Sequence, residues 1–139
     1  MKKTSLEQQY KQAYQEVLDL HIQIERLFHG QAFDNDRSSF LSYFHPDFTM
    51  IPPDGILRDF TWLSGWCSNA LGSRPQVKIS IENFNKIFAS PEHVIITYEE
   101  HQQITMTESL RRSSTAVLMS TNHQKPSFLW YHLHETWMD

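Results

Sequence analysis

Two histidines that lie two positions apart are the residues of this chain whose type and spacing best suit chemistry. His132 and His134 belong to an aromatic-rich run near the end of the sequence. In a strand, their alternate positions put both side chains on one face, together with Trp130. A histidine inside an apolar pocket has a pKa near neutrality, which suits proton transfer near pH 7. We therefore predict His134 as a catalytic residue, with an inert histidine in the pocket wall as the alternative.

A carboxylate on another predicted strand is the candidate partner of His134. Between residues 94 and 102 the even-numbered side chains begin more apolar, so we expect them to point inward, with Tyr98 and Glu100 near the pocket. A buried Glu100 would have a raised pKa and could form a proton-transfer pair with His134. The alternative is a structural cross-strand ion pair between Glu100 and Arg112.

The same two histidines could instead be ligands of a metal ion. Side chains two positions apart on a strand stand about 6–7 Å from each other, and Glu100 or His101 could supply a third ligand. The sequence has no HExxH helix, and Cys67 is its single cysteine, so we predict no metal site. Because its four glycines form no phosphate-binding loop, we expect no cofactor.

Large apolar side chains on the predicted elements would form the walls of a pocket. Small-molecule sites combine mostly apolar walls with a few placed polar groups. The residues that we predict to contact a ligand are Phe40, Tyr43, Met50, Trp62, Trp66, Tyr98 and Trp130. Each of them could also be an ordinary core residue. The expected ligand is a small apolar or aromatic molecule.

One long helix, two shorter helices and a set of strands must position these residues. Apolar residues recur at three- and four-residue steps between residues 5 and 29, and Gly30 suits a left-handed helix end. Shorter helices are predicted over residues 35–44 and 60–71. Between them, a strand over residues 48–51 leads into a proline- and glycine-containing turn.

The second half of the chain is rich in predicted strands. Apolar and polar residues alternate over residues 77–82, and three more strand candidates cover residues 93–107, 111–121 and 127–137. Helices gathered before consecutive strands indicate an α+β fold with a mainly antiparallel sheet. We find no internal repeat or linker, so we predict a single domain over residues 1–139.

Composition and charge argue against several classes of protein. The formal net charge is −4, and acidic and basic residues are mixed along the chain, so no basic stripe marks a nucleic-acid or anionic-membrane binder. No apolar run approaches the roughly 20 residues of a membrane span. A polar helix follows the first four residues, where a signal peptide needs an apolar core. We therefore expect a cytoplasmic protein that binds neither nucleic acid nor membranes.

Several short motifs, taken in order, resemble the nuclear transport factor 2-like (NTF2-like), or SnoaL-like, superfamily. Residues 44–48, FHPDF, are similar to a recurrent F-x-x-D-F passage at the first strand. A Pro-Asp-Gly turn and a helix rich in tryptophan and leucine follow. The RSS sequence at residues 112–114 and the Trp, His and Thr residues within residues 130–136 resemble the ending of an uncharacterised bacterial branch.

This resemblance implies a cystatin-like cone, in which a bent sheet wraps around the long helix and a pocket opens at one end. It also implies frequent dimers. The superfamily includes isomerases, dehydratases, cyclases, hydrolases and non-catalytic modules, so the fold does not choose among them. Ketosteroid isomerase members use two carboxyl groups, and this chain has none at the corresponding residues 50–52 and 116–118.

Two functions follow from these observations. The first is a small-molecule-binding protein. If it is catalytic, we expect an isomerase, dehydratase or hydrolase of low turnover that uses a pocket histidine. The second is a dimeric association or ligand-sensing module without catalysis.

An apolar patch on the outside of the sheet predicts a homodimer. Tyr131, Leu133 and Trp137 on the last strand and Val117 and Met119 on the strand before it would be exposed on a lone subunit. Monomers seldom expose large contiguous apolar patches, and a two-fold contact would bury this one against its copy. The alternative is that the third helix or the C-terminal residues cover this face within one chain.

Overall fold

Three helices and one six-stranded sheet make up the described part of the chain in a computed structural model. It describes residues 5–31, 34–122 and 126–138, with the backbone alone for residues 34–37. The elements are α1 (Leu6–His29), α2 (Asp34–Leu41), β1 (Phe44–Ile51), β2 (Arg58–Asp59), α3 (Phe60–Ala70), β3 (Lys78–Ala89), β4 (His93–Gln103), β5 (Ser109–Ser120) and β6 (Phe128–Trp137). No helix among the described residues is long and apolar enough to cross a membrane.

The sheet has the strand order β2-β1-β6-β5-β4-β3. Adjacent strands are antiparallel except β1 and β6, which run parallel. This arrangement confirms the predicted α+β fold with a mainly antiparallel sheet. We call the face that carries buried Val94, Ile96 and Tyr98 the inner face and the opposite one the outer face.

The ends of α1 follow from local sequence. The Ser5 side chain accepts a hydrogen bond from the Gln8 N–H at 3.1 Å and caps the first turn. Gly30 ends the helix with a φ of 79°, in the left-handed region that glycine adopts without strain. A Cβ atom on Gly30 would lie 3.3 Å from the Cα atom of Gly72, so the end of α1 lies tightly against the segment after α3.

Polar side chains along α1 bond to the backbone near the ends of strands. These bonds join the Gln9 amide to the Ser90 carbonyl (2.6 Å), the Ser127 N–H to Glu16 (2.8 Å), the Ile79 N–H to Glu25 (2.7 Å) and the His29 ring to the Val77 carbonyl (2.6 Å). Each bond links residues far apart in sequence. Together they fix both the position and the rotation of α1 on the sheet.

Several predicted boundaries need correction. β3 continues to Ala89 rather than ending at residue 82, β4 ends at Gln103 rather than at residue 107, and the end of α2 and the start of β1 also differ. The second helix ends at Leu41 rather than at residue 44, and the first strand begins at Phe44 rather than at residue 48. Pro46 therefore lies inside β1. It is tolerated because the pairing of β1 with β6 is irregular between Phe44 and Thr49, where no regular ladder bond from a proline nitrogen is needed.

β6 contains a one-residue bulge. Trp130 pairs with Leu118 of β5, whereas His132 pairs with the preceding Val117. Tyr131 is therefore an extra residue on β6 that has no counterpart on β5. Such a bulge interrupts the alternation of side chains between the two faces.

The bulge reverses the predicted orientation of the second half of β6. Trp130 is fully buried on the inner face, but beyond the bulge Leu133 and Glu135 are the buried residues and His134 is exposed. The prediction that Trp130 and His134 share a face is therefore wrong. The period of two on which it rested does not continue through the extra residue.

The predicted outer patch is divided between the two faces for the same reason. Leu133 is buried on the inner face, and Trp137 is paired with Arg112, whose guanidinium carbon lies 4.9 Å from the centre of its ring. Their predicted place in an outer patch is therefore wrong. Tyr131 is 38% exposed, and Val117 and Met119 are half-buried, so these three remain available on the outer face.

The two tryptophans of β6 give a matched test of this arrangement. Trp130→Ala removes a fully buried side chain from the core and should lower the free energy of unfolding by about 3–5 kcal/mol. Trp137→Ala removes a side chain that is 52% exposed and should cost about 1 kcal/mol or less. Urea denaturation of both variants measures the difference, and equal losses would contradict the fold.

Candidate functional site

A cavity of about 290 Å³ lies between the helices and the inner face of the sheet. Its lining comes from all three helices and from β1, β4, β5 and β6. The volume equals that of roughly ten water molecules at about 30 Å³ each. It is close to the lower end, roughly 300 Å³, of the range for small-molecule sites. The cavity therefore has room for a small organic molecule.

Most of the predicted ligand-contact residues line this cavity. Those that do are Phe40, Met50, Trp62, Trp66 and Tyr98. Trp130 does not line it, because it is fully buried in the core behind the wall, with its ring centre 6.3 Å from that of Tyr98. Tyr43 does not line it either and is half-buried. Whether the lining residues contact a ligand stays a prediction.

The wall nearest the helices is aromatic. The ring of Trp66 meets Phe28 of α1 edge-on, at 5.8 Å between centres, and lies 6.2 Å from Phe40 of α2. Leu20 and Ile24 of α1 continue the same apolar surface. This wall suits the apolar or aromatic part of a ligand.

The opposite end of the cavity begins with a buried ion pair between His21 of α1 and Glu100 of β4. His21 Nε2 lies 3.0 Å from Glu100 Oε1, and His21 Nδ1 lies 2.7 Å from the Val17 carbonyl oxygen. Both side chains are 5% exposed. A carbonyl oxygen and a carboxylate only accept hydrogen bonds, so both ring nitrogens donate and His21 is an imidazolium.

The pKa values of the pair agree with this protonation. Burial lowers the pKa of His21, but Glu100 and the Val17 carbonyl more than compensate and raise it above its usual value. Burial raises the pKa of Glu100, but the opposing effect of His21 is stronger, so the pKa lies well below its usual value. The pair is therefore charged near neutral pH.

Gln102 extends the pair towards the rim of the cavity. Its amide nitrogen donates to Glu100 Oε2, and its carbonyl oxygen accepts from Arg74 Nη1. The Arg74 guanidinium carbon also lies 4.9 Å from the centre of the Phe28 ring. We call the four residues His21, Glu100, Gln102 and Arg74 the polar chain.

A second ion pair lies beside the polar chain. Arg112 Nη1 donates to Glu135 Oε1 at 3.2 Å, and Glu135 is 5% exposed. Burial raises the pKa of Glu135, and Glu100 adds to this effect although Arg112 opposes it. Burial and then the positive charge of Arg112 lower the pKa of Arg74. The two guanidinium groups therefore repel each other at the same end of the cavity.

Two donors of this end have no hydrogen-bond partner among the described residues. They are the Nε atom of Arg112 and the hydroxyl of Tyr98. Both Arg112 and Tyr98 line the cavity. A buried polar group without a partner costs about 1–3 kcal/mol, so an acceptor that entered the cavity would recover that energy.

His134 is not part of this site. It is exposed on the outer face, where it pairs with Thr115 of β5 and Ile51 of β1. The predicted proton-transfer pair of His134 and Glu100 is therefore wrong, because the two side chains lie on opposite faces of the sheet. The alternative partner, Arg112, stands opposite Glu100 in the ladder but bonds to Glu135.

The metal alternative also lacks its third ligand, since His101 pairs with Arg111, four residues along β5 from Thr115, the partner of His134. His132 and His134 do share the outer face, but Glu100 lies on the inner face, and His132 Nδ1 lies 2.8 Å from the Thr49 hydroxyl. His101 lies on the outer face between two glutamates of β3 and β4.

Three charged residues of the site are not singled out by the sequence. His21 lies within the apolar stripe of α1, and its interruption of that stripe was the one signal available. Arg74 lies in the short segment after α3, where composition gives no indication of its contacts. Regular alternation with Leu133 and Trp137 predicts the outer face for Glu135, because the bulge at Tyr131 leaves no mark in the residue pattern.

Comparisons with known proteins agree with the architecture. An NTF-2-like protein of unknown function from Pseudomonas aeruginosa superposes with a TM-score of 0.85 at 24% identity, over 92% of this chain and 99% of that one. The CaMKII hub of S. rosetta gives 0.67 at 15% identity, over 89% and 95%. A protein named as a candidate ketosteroid isomerase from Parabacteroides distasonis gives 0.62 at 10% identity, over 88% and 86%.

These superpositions show a shared fold: the chain has the NTF2-like, cystatin-like fold that the motifs predicted. No family profile and no curated protein sequence matches it.

The buried ion pair gives a pH-dependent prediction for stability. Because the pKa of His21 is raised, its contribution is fully present below about 6.5 and is lost as the pH rises through the folded-state pKa. Because the pKa of Glu100 is lowered to about 2, its contribution is fully present above about 4.5 and is lost as the pH falls from there through the folded-state pKa. His21→Ala should therefore cost most between these two values, about 3 kcal/mol or more.

Urea denaturation from pH 4 to 9 measures this cost as the difference between the native protein and the variant. The matched control is His93→Ala, which removes an exposed histidine at the start of β4 and should cost about 0.5 kcal/mol or less. A cost of His21→Ala that did not change with pH would contradict the charged pair.

Proposed function

We propose that this protein binds a small organic acid, with the acid group at the arginine end of the cavity and the apolar body against the aromatic wall. The observation that carries the proposal is the Nε atom of Arg112, a buried donor without a hydrogen-bond partner in the described part of the chain, in the same cavity as Arg74. Guanidinium groups bind carboxylates through paired, charge-assisted hydrogen bonds.

The charges at this end favour an anion. His21, Arg74 and Arg112 are cations, and Glu100 and Glu135 are the acids that face them. With both acids ionised, the net charge of these five groups is +1. When Glu135 is protonated, it is +2. An anion between Arg74 and Arg112 would also relieve the repulsion that lowers the pKa of Arg74.

Binding or ligand sensing explains these groups better than catalysis does. Both ring nitrogens of His21 and both carboxylate oxygens of Glu100 have partners within the protein. Neither group is therefore free to exchange a proton with a substrate without breaking the buried pair. The ligand class is accordingly an amphipathic acid, which is narrower than the apolar or aromatic molecule expected from the sequence.

Isothermal titration calorimetry with phenylacetate, 4-phenylbutyrate and octanoate, each beside its primary amide, tests the proposal. We expect at least one acid to bind and its uncharged amide to bind about tenfold more weakly, since a charge-assisted hydrogen bond contributes about 1.5–3 kcal/mol.

Arg112→Met should weaken binding of that acid by roughly 10- to 100-fold. The control is Arg111→Met, which changes the adjacent, exposed residue of β5 by the same substitution and should leave the affinity unchanged. Equal affinities for the acid and the amide, or an unaltered affinity of Arg112→Met, would contradict the proposed site.

A second function, self-association, is supported by a different surface. Phe88 of β3 pairs with Ile95 of β4, which pairs with Val117 of β5, so an apolar row crosses the outer face. Phe88 is 53% exposed, and Tyr131 on β6 is 38% exposed. We propose that a second copy of the chain covers this row in a two-fold dimer. The hub and association-domain names of several structural neighbours fit this proposal.

Sedimentation velocity at micromolar concentration measures the association. The native protein should sediment at about twice the 16.5 kDa of one chain, and Val117→Glu should give the monomer because it would bury an unpaired charge in the contact. The control Gln12→Glu introduces the same side chain on the exposed surface of α1 and should stay dimeric. A native protein that sediments as one chain would remove the dimer.

A further inference from the structure

The two acids of the cavity differ in how firmly they are held. Glu100 is bonded through both oxygens, to His21 and to Gln102. Glu135 contacts Arg112 through one oxygen at 3.2 Å. Arg112 is the group to which the proposed ligand would bind, so Glu135 occupies part of the position that an acidic ligand would take.

We infer that an entering carboxylate displaces Glu135 from Arg112, and that Glu135 takes up one proton from solvent as the ligand binds. The inference rests on the proposed function, since it concerns the same cavity and the same ligand class. No covalent bond to the ligand forms or breaks. One O–H bond forms on the Glu135 carboxyl group, and solvent supplies the proton.

The charges around Glu135 require it to be protonated once the ligand has displaced it from Arg112. His21 is committed to Glu100, and a ligand carboxylate would engage Arg112 and Arg74. An ionised Glu135 would then be a buried carboxylate without its cation and beside two other negative charges. Neutralising it by protonation costs less than leaving that charge unpaired in the protein interior. The protonated group can also donate a hydrogen bond to the ligand oxygen that replaced it.

The other side chains near Glu135 cannot take up the proton in its place. Tyr98 on β4 has a pKa well above its usual value because burial disfavours its charged form, so it remains a neutral phenol. Trp137, two positions along β6, contributes an apolar ring over Arg112. Glu135 is therefore the cavity group whose charge can change with the least disturbance.

Proton uptake makes the affinity for acids depend on pH in a defined direction. The complex holds one more proton than the free protein, so binding weakens as the pH rises. The loss approaches about tenfold per pH unit above the pKa of Glu135 in the free protein. Glu135 would thereby make the site most selective for acids under mildly acidic conditions.

Calorimetry at pH 8 in phosphate and in Tris tests the inference, with the tightest-binding acid of phenylacetate, 4-phenylbutyrate and octanoate. These buffers release a proton with very different enthalpies, so the observed heats should differ by the amount for about one proton. Glu135→Gln, which imitates the protonated carboxyl group, should bind the acid about tenfold more tightly at pH 8 and show no buffer dependence. The matched control Glu92→Gln, on an exposed residue between β3 and β4, should behave like the native protein.

The outcomes separate this inference from the proposed function. Binding of the acid with heats that are equal in both buffers would overturn proton uptake and leave the binding site standing. An unchanged buffer dependence in Glu135→Gln would overturn the assignment of the proton to Glu135. If none of the three acids binds, the proposed function itself fails, and this inference fails with it.

Discussion

The ion pair of His21 and Glu100 is the interaction on which the rest of the site depends. It joins α1 to β4 at a sequence separation of 79 residues, and it is buried. A buried ion pair is tolerated only when the remaining donors and acceptors are also satisfied, and here the Val17 carbonyl and the Gln102 amide do this. Because the pair admits one rotation of α1, it also determines which apolar residues of the helix face the cavity.

The amphipathic character of the cavity originates in a gradient along one face of β4. Val94 and Ile96 at its beginning are fully buried and apolar, whereas Glu100 and Gln102 near its end are buried and polar. The elements that face β4 are divided in the same way. α1 and α3 supply aromatic rings to the apolar end, and the segment after α3 supplies Arg74 to the polar end. An apolar body and a charged group can therefore be accommodated within about 290 Å³.

Sequence patterns predicted the elements but not the contacts between them. The stripe of α1, its end at Gly30 and the inward face of β4 were correct because each depends on residues close together in the chain. The predicted partner of Glu100 was wrong, because a helix residue and a strand residue meet only through the tertiary fold. The orientation of His134 was wrong because a bulge is a property of two paired strands, and one strand alone does not reveal it.

The extra residue in β6 also bears on how this chain is compared with its relatives. Without Tyr131, Trp130 would be followed directly by His132, and the alternation would place Leu133 and Glu135 on the inner face as they are now. A relative that lacks the bulge would thus keep the same two faces with one residue fewer. An alignment of such sequences needs a gap at position 131, and without it the acid of the cavity would be matched to a residue of the opposite face.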